Sequence, residues 1–465
     1  MTHQAPSTLG SMKPDGSRLK IHPADYQGAW KTRRRAIFAA LISVYVVAPF
    51  VQIKGHPSIQ LDIVHRRFFL LGSTFNAQDV WLVVLLLLGF LFGLLFLTAW
   101  KGRVWCGFAC PQTVFLEGVY RPIERLIEGS RERRLKLDAA RWSFDKLWRR
   151  SLKYTVFFVV SVIIAHAAAA IFASPRELWL MITEGPRAHL EAFGLTAGFT
   201  AILTFNFTWF REQFCVVLCP YGRLQSVLLD RDSVSVAYDE RRGEPRGHLS
   251  KVAPTPLGDC IDCNRCVAVC PTGIDIRDGL QMECLACTQC IDACDDVMIK
   301  VSRPVGLIRY AAASQLQGTP GKGLRPRLLV YGTLMALSLL TLGVSLNVRK
   351  PFESNVLRPA GTTPWYLDAE THVVRNMLEV HLVNKNPETA TFRLRIEERE
   401  GVHAVVATPE VTLESLTDTR VPLIISVDQA HLRAGLELTL EITDVSSGVV
   451  KRQPVRFNAP PVGQR

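Results

Sequence analysis

Five apolar runs interrupt a chain that is otherwise polar or alternating: Ala36 to Ile53, Val80 to Trp100, Leu152 to Ala173, Phe193 to Phe210 and Leu328 to Val348. Each approaches the roughly 20 residues that a helix needs to cross the hydrocarbon of a bilayer, and together they predict a helical membrane bundle of about five spans. The fourth run is the most polar, with four threonines and Asn206, and a buried amphipathic segment is its alternative. The first follows Lys31-Thr-Arg33-Arg34-Arg35, and no small-residue cleavage site trails it, which predicts a retained span rather than a removed signal peptide. Beyond the last run the period changes to two. Met377 to Val383, Thr391 to Ile396, Val421 to Val427, Leu436 to Ile442 and Val449 to Phe457 alternate apolar and polar residues, with turn residues such as Asn384-Lys-Asn-Pro387 between them. Several short strands at this spacing predict an immunoglobulin-like sandwich, here without a cysteine for an inter-sheet disulfide.

The expected organisation is a polar head (1–35), four spans (36–210) with a loop at 101–151, a polar segment (211–327), a fifth span (328–348) and an all-β tail (349–465). Charge orients it. The head carries seven Lys/Arg, the loop 54–79 three, the loop 101–151 twelve against six acids, and the loop 174–192 two. Positive-inside counting puts the head, the second loop and the 211–327 segment in the cytoplasm and the tail outside. Arg349 and Lys350 argue mildly against that last placement. The net charge of +12 belongs to this topology signal, since the arginines flank apolar runs, and nucleic acid is not expected as a partner.

All 12 cysteines fall between Cys106 and Cys294, on the side assigned to the cytoplasm, where disulfides are rare. Eight of them form Cys260-Ile-Asp-Cys263-Asn-Arg-Cys266-Val-Ala-Val-Cys270-Pro271 and Cys284-Leu-Ala-Cys287-Thr-Gln-Cys290-Ile-Asp-Ala-Cys294. C-x2-C-x2-C-x3-C twice is the run that holds two [4Fe–4S] clusters in bacterial-type ferredoxins, each cluster taking three thiolates from one run and the fourth from the other. On that pattern Cys260, Cys263, Cys266 and Cys294 hold one cluster, and Cys284, Cys287, Cys290 and Cys270 the second. An α+β ferredoxin domain is therefore expected at about 250–305. Zinc ribbons are the alternative, but they need two pairs of thiolates and leave the third cysteine of each run unused. Asp295 stands where a second proline would follow Cys294.

The other four cysteines are paired. Trp100 precedes Trp105-Cys106-Gly-Phe-Ala-Cys110-Pro111, and Trp209 precedes Phe214-Cys215-Val-Val-Leu-Cys219-Pro220, an internal repeat 109 residues apart. Cysteines four apart share a helix face, although the prolines disfavour helix at the residue before them. If the two hairpins pack about a pseudo-twofold, four thiolates converge at the membrane edge. Such a set suits Cu(I), Zn or Fe–S, and a dithiol shuttle or simple packing of small apolar side chains are the other readings. His166, inside the third span, lacks a second histidine at ligand spacing and reads as packed or hydrogen-bonded. His56 and His65 read equally as surface residues. Gly318-Thr-Pro-Gly321-Lys-Gly323 lacks P-loop spacing and reads as a linker. There is no Rossmann fingerprint and no serine or histidine triad.

Several stretches together resemble one family along nearly the whole chain: Phe68-Phe-Leu-Leu-Gly72 with Asp79, Gly102 to Thr113, Cys219-Pro-Tyr-Gly-Arg-Leu-Gln225, Arg242-Gly-Glu-Pro-Arg246, Cys270 to Gln281, Val374-Arg-Asn376 before Leu378, and Asn384-Lys385. The chain resembles the FixG/CcoG (RdxA) family of cytochrome c oxidase accessory proteins. The resemblance implies a multi-pass protein of the bacterial inner membrane that carries two [4Fe–4S] clusters. It also implies help in assembling a cbb3-type oxidase, as an oxidoreductase that reduces Cu(II) to Cu(I), with copper handled at Cys106, Cys110, Cys215 and Cys219. Implied partners are the lipid bilayer, oxidase subunits or copper chaperones and transporters, and an electron donor that the sequence leaves open. An electron conduit of another quinol-linked membrane system and a non-catalytic assembly scaffold are the alternatives.

Overall fold

The computed structural model describes residues 20–53, 56–63, 67–76, 79–248, 257–319, 325–359, 361, 363–368, 372–386, 388–432 and 436–459. His65, the Gly321-Lys-Gly323 part of the linker and Pro387 of the expected turn lie outside them. The chain divides into two compact units, one of residues 1–63 and 83–341, the other of 64–82 and 342–465.

Among the described residues, four helices are long and apolar enough to cross a membrane: Val80–Lys101, Phe144–Phe172, Leu190–Phe210 and Pro326–Val348. The first apolar run differs from the others. Its helix is Ala29–Val47, which starts among the basic residues before the run and gives way to a short 3-10 turn at Ala48–Phe50, where Pro49 cannot continue it. Its path is nevertheless long. Arg34 Nε donates to the Gly107 carbonyl (3.1 Å) near one end, and the Tyr45 hydroxyl donates to the Ile164 carbonyl (2.9 Å) near the other. Phe144–Phe172 starts eight residues before the expected span, because Ser143 caps it by accepting from the Lys146 amide (3.3 Å). Helices Val80–Lys101 and Pro326–Val348 pack closely through glycines. A Cβ on Gly89 would sit 3.0 Å from Leu339 and one on Gly332 3.3 Å from Phe96, and Ser338 Oγ donates to the Leu85 carbonyl (2.8 Å). Small residues at such contacts are what bring helices together where lipid supplies no hydrophobic drive.

The basic residues of 101–151 are not all free surface charge. Glu124, 1% exposed, accepts from Arg211 (2.8 and 3.1 Å) and lies 3.4 Å from Lys153 and 3.6 Å from Arg134, while Lys153 also reaches Glu128 (2.6 Å). Arg121 pairs with Glu117 (2.5 Å) and Glu212. Burial would raise the Glu124 carboxyl, but Arg211, Lys153 and Arg134 together outweigh burial and hold the group well below its ordinary value. Part of the charge counted for topology is thus internal scaffolding.

The second unit carries the sandwich. One sheet orders Val402–Val406, Asp418–Asp428, Val373–Asn384 and Phe352–Leu357, with Tyr366–Asp368 also paired to Val373–Asn384; the other orders Glu410–Leu413, Ala390–Ile396, Glu437–Asp444 and Val450–Arg456. The pairs are antiparallel, the longest running from Val373↔Asp428 to Val383↔Asp418. Alternation places Val380, Leu382, Phe392, Leu423, Ile425, Leu440 and Ile442 in the core, each fully buried. Two buried asparagines tie its ends. Asn376 and Asn458 exchange hydrogen bonds (2.9 and 2.7 Å), and Asn384 Nδ2 donates to the carbonyls of Glu388, Leu413 and Glu414 (2.9, 3.2 and 3.0 Å). The hairpin Arg67–Leu70/Ser73–Asn76 turns through Leu71 and Gly72, both at positive φ, and Asp79 pairs with Arg349 (2.7 Å) and Lys385 (3.1 Å).

Asn384→Ala leaves three strand-end carbonyls without their shared donor. It is expected to lower the stability of this unit by about 2–3 kcal/mol, read as a lower denaturant midpoint for the sandwich in the full-length protein.

Candidate iron–sulfur and thiol site

The two C-x2-C-x2-C runs fold alike. Asp262 and Asn264 in the first, and Ala286 and Thr288 in the second, take positive φ (51°, 55°, 51° and 63°) at equivalent positions, and a helix follows each, Arg265–Val269 and Gln289–Lys300. This curl turns the three thiols of each run toward one centre. Cys260, Cys263, Cys266 and Cys294 line one cavity together with Tyr238, Met298 and Leu307. Cys270, Cys284, Cys287 and Cys290 line a second with Ile274, Ile276 and Val236, and Cys266 stands in the wall of both. The fourth cysteine of each expected set thus comes from the other run.

Burial drives the thiols up: Cys266, Cys287 and Cys294 to about 12, Cys284 to about 11, and Cys290 well above its usual value. Two sets of four sulfur donors in apolar cavities fit [4Fe–4S] cubanes, whose iron makes the thiolates stable where a bare thiolate would not be. They do not fit a zinc ribbon. Among the described residues no three His, Cys, Asp or Glu side chains converge on a single-ion site, whereas a structural zinc needs four ligands at about 2.3 Å. Arg277 braces the first loop, bonding Asp275, Asp262 (2.5 Å) and Asn264. The two-stranded antiparallel sheet Ser235–Tyr238/Ile308–Ala311 covers it, and the Tyr310 hydroxyl donates to the Ala286 carbonyl (3.0 Å) in the second.

The C-x3-C-P motifs also match each other. Cys106 lies in the short helix Val104–Phe108 and Cys215 in the π turn Phe214–Leu218. The amides of Cys110 and Cys219 close back on the Trp105 and Phe214 carbonyls (2.9 and 2.8 Å), and each cysteine is extended before its proline, starting a new helix at Pro111 or Pro220. The members of a pair therefore do not share one helix face, contrary to the simple four-residue expectation. The preceding-proline effect wins. The four sulfurs are still neighbours. Cys106, Cys110 and Cys219 all bear electrostatically on Cys215. Cys106 Sγ donates to Gln225 Oε1 (3.4 Å), and Gln112 and Asn206 exchange amide hydrogen bonds (3.2 and 2.7 Å) across the repeat. Burial raises the Cys106 thiol to about 12 and pushes Cys110 and Cys215 up as well.

Both sets meet. A Cβ on Gly107 would lie 2.5 Å from the Ala286 carbonyl oxygen, so the first C-x3-C-P loop rests directly on the Cys284–Cys287 backbone. Arg103, 6% exposed, donates to the carbonyls of Cys284 (3.2 Å), Met282 and Gly222 (3.0 Å), clasping both C-x3-C-P loops and the cluster loop. Cys215 and Cys287 line one small cavity with Arg34, Glu117 and Glu212. Arg103 and Arg34 were not singled out from the sequence as site residues. Arg103 lies inside a family-like stretch, three residues before Cys106, which was the available signal. Nothing local distinguishes Arg34 from the topology charges beside it. His166 donates its Nδ1 hydrogen to the Val162 carbonyl (2.8 Å), as a hydrogen-bonded histidine should.

Known proteins resemble this arrangement. The profile of a 4Fe-4S dicluster domain matches residues 210–313, that of a 4Fe-4S binding domain 81–130, and that of the IG-like fold at the C-terminus of FixG 342–460. Protein RdxA of Cereibacter sphaeroides is 36% identical over 406 residues, covering 83% of this chain and 84% of its own. The nitrogen fixation protein FixG of Rhizobium meliloti is 34% identical over 422 residues (82% and 79%), and RdxB of C. sphaeroides 34% over 398 (82% and 82%). The chain belongs to the FixG/RdxA family. With its 4Fe-4S domains and its membrane-length helices, this FixG/RdxA member is a membrane iron–sulfur electron-transfer protein.

Cys263 is exposed whereas Cys284 and Cys287 are buried. Air should therefore remove the cluster of the first cavity before that of the second, seen as loss of about four of about eight irons with one of two EPR signals surviving. Gly107→Ala forces the two loops apart at the 2.5 Å contact. It should alter the second cluster's EPR signal and slow electron exit while leaving the first cluster unchanged.

Proposed function

We propose that this protein is a cupric reductase that assists assembly of a cbb3-type cytochrome c oxidase. Cys260, Cys263, Cys266 and Cys294 hold one [4Fe–4S] cluster, and Cys270, Cys284, Cys287 and Cys290 the other. Each accepts one electron and passes it toward copper at Cys106, Cys110, Cys215 and Cys219. The observation that carries the reading is the unbroken series of shared walls: Cys266 belongs to both cluster cavities, and Cys287 shares a cavity with Cys215. Electrons enter at the exposed Cys263 end and leave at the buried one. Soft thiolates favour Cu(I) over Cu(II), so their presence at the exit stabilises the product of the reduction.

The cysteine end faces the cytoplasm of a bacterial inner membrane and the sandwich faces the periplasm, where it docks oxidase subunits or copper carriers. This orientation needs a fifth crossing, made by Ala29–Phe50, whose apolar part begins at Ala36. A second reading, an electron conduit to another membrane redox partner, draws on the 4Fe-4S binding profile that spans Cys106 and Cys110, since it describes iron–sulfur binding and no copper.

The test is anaerobic reduction of Cu(II) by the dithionite-reduced protein, followed with a Cu(I)-selective chelator. Changing Cys106, Cys110, Cys215 and Cys219 to serine should lower the rate by about tenfold or more with iron content retained. An undiminished rate removes the four thiols from the mechanism and leaves the conduit reading.

A further inference from the structure

Between Phe144–Phe172 and Leu190–Phe205 lies a cavity of about 410 Å³. His166 is 13 residues beyond Lys153 of the buried ion network, about 20 Å along the helix. Its walls are apolar, with Phe158, Val162, Met181, Phe193 and Ala197 among them, and the His166 ring is part of the lining. A volume in this range is that of a small-molecule site.

The polar side chains of the cavity other than His166 each have a partner. Thr196 and Thr200 spend their hydroxyl hydrogens on the Ala192 and Thr196 carbonyls (2.8 Å each), and His189 Nε2 is engaged by Glu184 (2.6 Å). His166 Nδ1 faces the Val162 carbonyl, which can only accept, so Nδ1 carries the hydrogen and the neutral ring offers Nε2 as a lone-pair acceptor. No protein donor meets that nitrogen among the described residues. What completes the site is an apolar molecule that brings an O–H donor to membrane depth. An acyl chain has no donor, and an oxidised quinone offers only carbonyl acceptors. We propose that this cavity seats the ring of an isoprenoid quinol, with a ring hydroxyl donating to His166 Nε2, and that it prefers the reduced to the oxidised form.

The experiment is independent of copper and of the cluster assignments. Full-length protein in phosphatidylcholine nanodiscs is titrated anaerobically with decylubiquinol and, separately, with decylubiquinone. Saturable binding is expected, with the quinol held about tenfold more tightly, the worth of one good hydrogen bond against an unpaired acceptor. His166→Leu should abolish that preference at unchanged iron content, His166→Gln, which keeps an acceptor, should retain part of it, and Ala197→Trp should weaken both ligands by filling the cavity. Absence of saturable binding, a preference indifferent to His166→Leu, or equal displacement of either ligand by excess oleate would overturn the assignment and leave an acyl-chain groove.

Discussion

Two backbones that touch decide what the cysteines can do together. Gly107 and Ala286 approach so closely that no side chain fits between them, and this holds the membrane-edge thiols against the loop that carries Cys284 and Cys287. Electron transfer falls steeply with distance, so a wire through a protein requires its stations to share walls. Beside the contact Arg103 takes the carbonyls of Cys284 and Gly222, and the Tyr310 hydroxyl takes that of Ala286. Arg34 does the same for the Gly107 carbonyl. Arginine suits the task, with five donors on a rigid plane that stays charged when buried.

The same contact needs a stiff platform on the bundle side. The Glu124 group of charges supplies it by joining Arg211, just before the second thiol motif, to Lys153 on a long helix and Arg134 in the 131–139 helix. A buried ion set of this kind adds little net stability against an apolar replacement, but losing one member strands the others and is costly. Its use here is one of register. It allows one relative placement of the hairpins, and Gln112 with Asn206 repeats the constraint closer to the thiols. On the ferredoxin side Asp292 caps the Ala29–Val47 helix at the Trp30 and Lys31 amides (3.2 and 2.7 Å), which places Arg34 one turn later at the junction.

Much of this could be read in advance, for reasons that are themselves physical. Membrane-length runs are visible because hydrocarbon thickness sets their length, and the ferredoxin loops because a cubane imposes the spacing of Cys260, Cys263 and Cys266 on the chain. The central strands of the sandwich alternate because one face of each is buried. Its other strands were missed. In Phe352–Leu357 and Val402–Val406, each at an edge of its sheet, only part of one face is covered, and Glu410–Leu413 is short, so selection for alternation is weak. The helix Ala29–Val47 begins earlier than hydropathy suggests because Arg34, read as a topology charge, is buried. Arg103, Arg34 and Glu124 act through partners far away in sequence, and apart from the motif-like surroundings of Arg103 one-dimensional pattern holds no trace of that.

The distribution of burial along the sulfur series gives the wire a direction. Cys263 is open to solvent, Cys284 and Cys287 are closed off, and the Cys106 thiol beyond them is held protonated by its surroundings. A donor can approach the first cluster, whereas the last station exchanges electrons with little water present. Any cation that settles on the final thiols must displace their protons, so its arrival is tied to proton release. In the proposed reduction, an electron from the buried cluster would lower the charge of that cation in a cavity where charge is poorly solvated. Burial therefore acts on both partners in the same sense, since the lower-valent ion is the one that an apolar, thiol-lined exit tolerates best.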